Sequence, residues 1–210
     1  METLTEKAPG KREARKEERR LAILQVAKRS FLDNGYSGTS MSAISAELGG
    51  SKGTLWSYFP SKEELFAAVL DHATTSYRQE LGDLLAPSAD LRATVFAFAR
   101  SFIAKITSPE AMRLHRLVAA ESGRFPEVGE IFYRRAPQPT QQLIAGFFAV
   151  QMDAGHMRRD DPLAAARVLT SLCMGGAHQR LLWGIDTSPG DLEAEAHYAA
   201  DIFARAFEIT

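Results

Sequence analysis

The sequence predicts an all-α protein, with an N-terminal three-helix head built around a helix-turn-helix and a C-terminal helical bundle. Three observations carry this. From Leu21 onward apolar residues recur at spacings of three and four, the period of one helical face. Beyond Pro87 no run alternates apolar and polar residues as a half-buried strand does. Serine, aspartate and proline stand at the starts of the periodic segments, where side-chain oxygens cap free N–H groups and proline loses nothing by lacking one.

Residues 1–14 mix Pro9, Gly10 and charges without periodicity and are expected to form a disordered arm, in the first place a solvated tail, with contact of Lys11, Arg12 and Arg15 to a minor groove as the other reading. The first helix should run from Arg15 to Asn34, with Leu21, Leu24, Ala27 and Phe31 on one face and Asn34-Gly35 as its stop. A second helix should start near Ser40, carrying Met41, Ile44 and Leu48. Gly49 and Gly50 can adopt the positive φ that ends it, and Ser51 can cap a third helix. That helix must be short, about Lys52 to Tyr58, because Pro60 follows. Ser61 to Glu64 reads as a Ser-x-x-Glu capping box, opening a long helix from Lys62 to about Leu85. Later helices are expected over Leu91–Thr107, Pro109–Glu121, Pro126–Arg135, Pro139–Asp153, 161–183 and 188–207. The domains are therefore the arm, a head over 15–62 and a bundle over 63–210.

The third helix is too short to bury much beyond Leu55 and Phe59. It offers Ser51, Lys52, Gly53, Thr54, Trp56 and Ser57 to solvent or a partner. Small, hydroxylated and basic residues suit a DNA groove: Gly53 admits close backbone approach, Thr54 can meet a base edge or thymine methyl, and Lys52 a phosphate or guanine.

Over Leu21 to about Leu70 the chain closely resembles the tetracycline repressor (TetR) family of bacterial transcription regulators. The matching residues are Gly35, Tyr36, Thr39, Ser40, Ile44, Gly49, Ser51 to Leu55, Tyr58, Phe59 and Ser61 to Leu65. Gly50, Trp56 and Ser45 stand where the family usually has valine, tyrosine and alanine. The stretch from Arg113 to Arg135 more weakly resembles the AefR-like C-terminal domains of the same family. The resemblance implies that Ser51, Lys52, Gly53, Thr54 and Trp56 meet base edges or nearby backbone, while Thr39, Ser40, Tyr58 and Lys62 hold phosphates. It also implies a double-stranded DNA operator, a homodimer formed through the helices at 161–183 and 188–207, and a small-molecule effector site in the bundle. Phe102, His115, Phe147, Met174 and His178 are the residues expected to line that site.

The net charge of −1 hides an asymmetry. Residues 1–62 hold 11 Lys/Arg and 7 Asp/Glu, a balance of +4, and residues 63–210 hold 14 and 19, a balance of −5. The basic surplus sits with the helix-turn-helix, where phosphate neutralisation supplies non-specific affinity. A single cysteine, Cys173, excludes an internal disulfide and reads as a buried packing residue. No signal-peptide or membrane-spanning run is present, so a cytoplasmic protein is expected.

Catalytic patterns are missing: there is no Gly-x-Gly-x-x-Gly, Gly-x-Ser-x-Gly or His-Glu-x-x-His. Gly49 to Thr54 has the composition of a phosphate loop in the wrong order. His72, His115, His156, His178 and His197 lack paired ligand spacing. The expectation is a regulator, most simply a repressor, with no enzymatic activity, cofactor or metal. Two alternatives stay open: a small-molecule binding protein whose helix-turn-helix is structural only, and an all-α enzyme.

Overall fold

A computed structural model describes residues 10–49, 52–85 and 90–209. Among these the chain is helical, with no strand. It divides into two compact units, Met1–His72 and Ala73–Thr210. The division falls inside the long helix, ten residues beyond the expected boundary between 62 and 63.

In the first unit α1 spans Lys11–Gly38, α2 Met41–Glu47 and α3 Lys52–Tyr58, and α4 (Lys62–Leu84) begins. Helix α1 starts four residues earlier than expected. Glu13 and Ala14 N–H donate to the Gly10 carbonyl at 2.8 and 3.0 Å, so residues 11–14 are helical and do not belong to an arm. Residues 1–9 lie outside the described residues. The expected stop at Gly35 appears as a kink with φ 75°, a region open to glycine, after which the helix resumes to Gly38. Ser40 Oγ accepts from Ala43 N–H at 3.2 Å and starts α2. Gly49, at φ 64°, ends it. Ser61 Oγ accepts from Glu64 N–H at 3.1 Å and starts α4.

The head closes over Ile23, Leu24, Ala27, Phe31, Tyr36, Ile44, Leu55, Phe59, Leu65, Phe66 and Leu70, all buried. Three rings form its centre. Phe66 meets Phe31 and Tyr36 edge-on at 5.1 and 5.4 Å, and Phe31 stacks on Tyr36 at 5.9 Å. These are favourable quadrupole geometries.

The second unit holds the rest of α4, then α5 (Leu91–Ile106), α6 (Pro109–Glu121), α7 (Pro126–Arg135), α8 (Pro137–Asp153), α9 (Pro162–Met174), α10 (Ala177–Leu182) and α11 (Pro189–Ala206). Asp90, Ser108 and Asp161 side chains cap α5, α6 and α9. Ser188 and Asp191 form the corresponding box on α11. The core is one cluster from α4, α5, α8, α9 and α11. Ala165 and Ala166 on α9 and Ala196, Ala199 and Ala200 on α11 let these helices approach closely. Phe148 of α8 stacks on Phe203 of α11, which stacks on Phe207 at the end of α11, with centroids 5.1 and 4.5 Å apart.

The single helix expected over 161–183 is broken into α9 and α10 at Gly175-Gly176. The cause comes from α11. Glu195 places its carboxylate over Gly176, where a Cβ would stand 2.4 Å from it. The same carboxylate accepts the Ala177 N–H at 2.6 Å and pairs with Arg180 at 3.2 Å. It therefore satisfies a free amide at the start of α10 that a continuous helix would have bonded internally. Cys173 is free and buried, and burial pushes its thiol up to about 12, far from reactivity. No described helix is long and apolar enough to cross a membrane.

Candidate nucleic-acid interface

Helix α3 follows α2 across the Gly49 turn and is fixed from behind by Leu55, 2% exposed, and Phe59. Its outer side presents Gly53, Trp56 and Ser57, with Thr54 and Tyr58 half-buried beside them. Trp56 is 36% exposed, a large apolar ring held at the surface of a seven-residue helix. The backbone of α3 begins at Lys52 as expected. Ser51, a predicted contact, lies outside the described residues.

The residues expected to hold phosphates divide into two sets. Ser40 is exposed, and its oxygen accepts the cap hydrogen bond, leaving its hydroxyl proton outward. Tyr58 lies on the far end of α3. Thr39, by contrast, is 2% exposed, and its hydroxyl donates to the Gly35 carbonyl at 2.8 Å. Its N–H is directed to the Tyr36 carbonyl at 3.3 Å. With both donors directed inward, the phosphate role implied for Thr39 is withdrawn: it holds the Gly35 kink that positions α2.

Lys62 is a clasp as well as a charge. Its Nζ donates to the Tyr36 and Thr39 carbonyls at 3.0 and 3.3 Å and sits 4.1 Å from the centre of the Tyr36 ring. The Tyr36 hydroxyl in turn donates to Glu63 Oε1 at 3.1 Å. Glu63 is held below the usual carboxylate range, chiefly by its own backbone amide, then by Ser61, Tyr36 and Lys62. Two carbonyls at the end of α1 thus depend on one ammonium from α4. Lys62→Ala is expected to destabilise the head by about 1–3 kcal/mol, the cost of charge-assisted bonds lost at part-buried carbonyls. Thermal unfolding measures it.

Sequence spacing gave no sign of two further anchors. Arg19 donates to the Leu48 carbonyl at 3.3 Å, and the Arg20 guanidinium lies 5.7 Å from the Phe59 ring centre. They lock the register of α1 against the turn and the base of α3.

In the bundle, the five residues expected around an effector are only partly brought together. His115 on α6 and His178 on α10 meet, Nδ1 to Nε2, at 2.7 Å, although 63 positions separate them. The Phe132 ring stands edge-on to His115 at 5.5 Å. Burial, then the neighbouring imidazole, lowers His115 to about 4; burial also lowers His178. His178 further bonds the Met174 backbone, a link that by elimination uses Nδ1–H. The Nε2 atom then accepts from His115, a neutral pair. Phe102 packs against the main core and Phe147 is part of it. Met174 is corrected: it is 39% exposed and does not line the interior. Among the described residues, no group of three or more His, Cys, Asp or Glu side chains is placed to hold a metal ion.

A short outward-facing helix behind a glycine turn, clamped on a three-helix aromatic core and followed by a separate helical unit, defines a helix-turn-helix DNA-binding regulator. Residues 23–69 match the family model for bacterial regulatory proteins of the tetR family, and residues 93–209 match that for the AefR-like transcriptional repressor C-terminal domain. The chain belongs to the TetR family. Among solved structures, it is similar to the flavonoid-responsive regulator FrrA, with 31% identity and a TM-score of 0.76 over 90% of this chain and 97% of that one. It is also similar to a TetR-family regulator from Mesorhizobium loti MAFF303099, with 26% identity and a TM-score of 0.79 over 94% and 99%. The transcriptional activator FasR of Mycolicibacterium smegmatis is 38% identical over 87 residues, 40% of each chain.

Proposed function

We propose that the protein is a homodimeric, ligand-responsive repressor that leaves a palindromic operator when a small molecule occupies its bundle. The observation that carries the reading is the outward face of α3. Thr54 and Trp56 meet base edges there, with Lys52 and Gly53 at the helix start, while Ser40, Tyr58 and the third Nζ donor of Lys62 take phosphates. In a dimer the two α3 helices enter successive major grooves about 34–36 Å apart.

The dimer is supported by apolar surface at the end of the chain. Val168, Met174, Trp183, Ile185 and Tyr198 are 42, 39, 67, 51 and 67% exposed. Exposed apolar side chains gathered on adjoining elements mark a docking face, here for a second copy across α9 and α11. The repressor reading is supported by the AefR-like transcriptional repressor domain model matched at 93–209; the likeness to the activator FasR spans 87 residues. Phe102, Phe147 and the His115–His178 pair remain the proposed effector contacts, and FrrA's responsiveness to flavonoids favours an aromatic effector. Helix α4, shared by both units, is the proposed link between effector and reading head. A coupling of about 1–3 kcal/mol suffices for regulation.

Thr54→Ala tests the reading head. It should change the ranking among operator variants by about 1–3 kcal/mol at one base pair, while leaving affinity for random DNA unchanged. An unaltered ranking in a mobility-shift series would remove Thr54 from base reading and favour a purely structural helix-turn-helix.

A further inference from the structure

Near its start, α1 carries Arg12, Arg15, Lys16 and Arg19. Spacings of three, four and seven put these four on one face. Glu13, Glu17 and Glu18 fall on the others. Arg19 reaches the Leu48 carbonyl, so this basic face is turned toward α2 and α3.

Arg12, Arg15 and Lys16 continue the stripe and line a cleft of about 500 Å³, closed on its other side by Ser57 and Tyr58 from the end of α3. Among the described residues, no carboxylate lines it. Among the described residues, the three cations make no ion pair or hydrogen bond, and all three are exposed. Ser57 donates its proton to the Thr54 carbonyl at 2.7 Å, leaving the Tyr58 hydroxyl as the neutral donor in the cleft.

We propose that this cleft is a second DNA-backbone site, in which Arg12, Arg15, Lys16 and Tyr58 bind two or three phosphodiesters beside the groove that α3 enters. The proposal rests on the reading of α3 as a groove-binding helix. It replaces both readings of the arm, solvated tail and minor-groove contact: on a helix the cations are held at fixed spacing beside α3, the arrangement that follows a phosphate backbone. Having no ion pair among the described residues, these cations make such contacts without giving one up there, and each phosphate neutralised adds about 0.9 to the salt dependence of binding.

The test is the slope of log affinity against log salt, from about 50 to 200 mM, for a random-sequence duplex. Native protein is compared with R12Q/R15Q/K16Q and with the single variant Arg15→Gln. The triple variant should lower the slope by about two to three and the single one by about one. Both should melt as the native protein does, because the replaced side chains are exposed. Native binding with an undiminished slope in the triple variant overturns the cleft and leaves the α3 reading standing. Native protein that binds no duplex overturns that reading itself. Loss of binding to phosphatidylglycerol vesicles with an unchanged DNA slope would assign the cleft to a membrane surface and also overturn the proposal.

Discussion

Phe66→Ala is expected to abolish DNA binding without touching a single DNA-facing side chain. Phe66 is fully buried, and its ring makes the T-shaped contacts to both Phe31 and Tyr36. Truncating such a ring costs about 3–5 kcal/mol in lost transfer energy and residual cavity. The unit it stabilises spans only Met1–His72, and at about 0.05–0.15 kcal/mol per residue its whole stability is of the same order. The loss should appear as an early unfolding transition, with the bundle's own transition retained. A Phe66→Ala protein that melts like the native one would show that the aromatic trio does not hold the reading head together.

The second large effect is acid lability centred on the His115–His178 pair. In the folded protein His115 is lowered to about 4 from an ordinary value of 6.5, because burial and the adjacent ring disfavour its charged form. Between those two values the unfolded chain takes up a proton that the native site refuses. Stability is therefore fully present above about 6.5 and is lost as pH falls toward about 4. At about 1.36 kcal/mol per unit, the loss comes to about 3 kcal/mol. His178, also lowered, acts in the same direction. Asp160 and Asp191 are lowered as well, by hydrogen bonds from the Asp161 and Ser188 amides, but their contribution is lost only in stronger acid. Melting temperature followed from neutral pH to about 4 separates the contributions. His115→Gln keeps a donor for His178 and removes the titration, so its profile should be flatter than the native one. Identical profiles would place the acid sensitivity elsewhere.

What could be read from sequence was what neighbours in sequence decide. Ser40, Ser61, Ser108 and Asp161 mark their helices because a cap acts within three residues, and Gly35 and Gly49 mark turns through their own φ. What was missed depends on partners far along the chain. The break at Gly175-Gly176 is made by Glu195, and the imidazole pair joins α6 to α10 across 63 positions. The inward turn of Thr39 depends on the Gly35 carbonyl and the Lys62 clasp on the Tyr36 and Thr39 carbonyls, contacts that the residues' shared polarity does not distinguish from an outward role. The cations of α1 were visible as charges. Their shared face with α3 was not, because sequence alone did not show that the helix begins at Lys11.

Helix α3 is proposed to read DNA. Fluorescence anisotropy of the purified protein on labelled duplexes covering the DNA beside its own coding region, against random-sequence competitor at moderate ionic strength, tests it most directly. One duplex should be bound at least about 10³-fold more tightly than random DNA, the range of a sequence-specific regulator. Equal affinity for every duplex would contradict it.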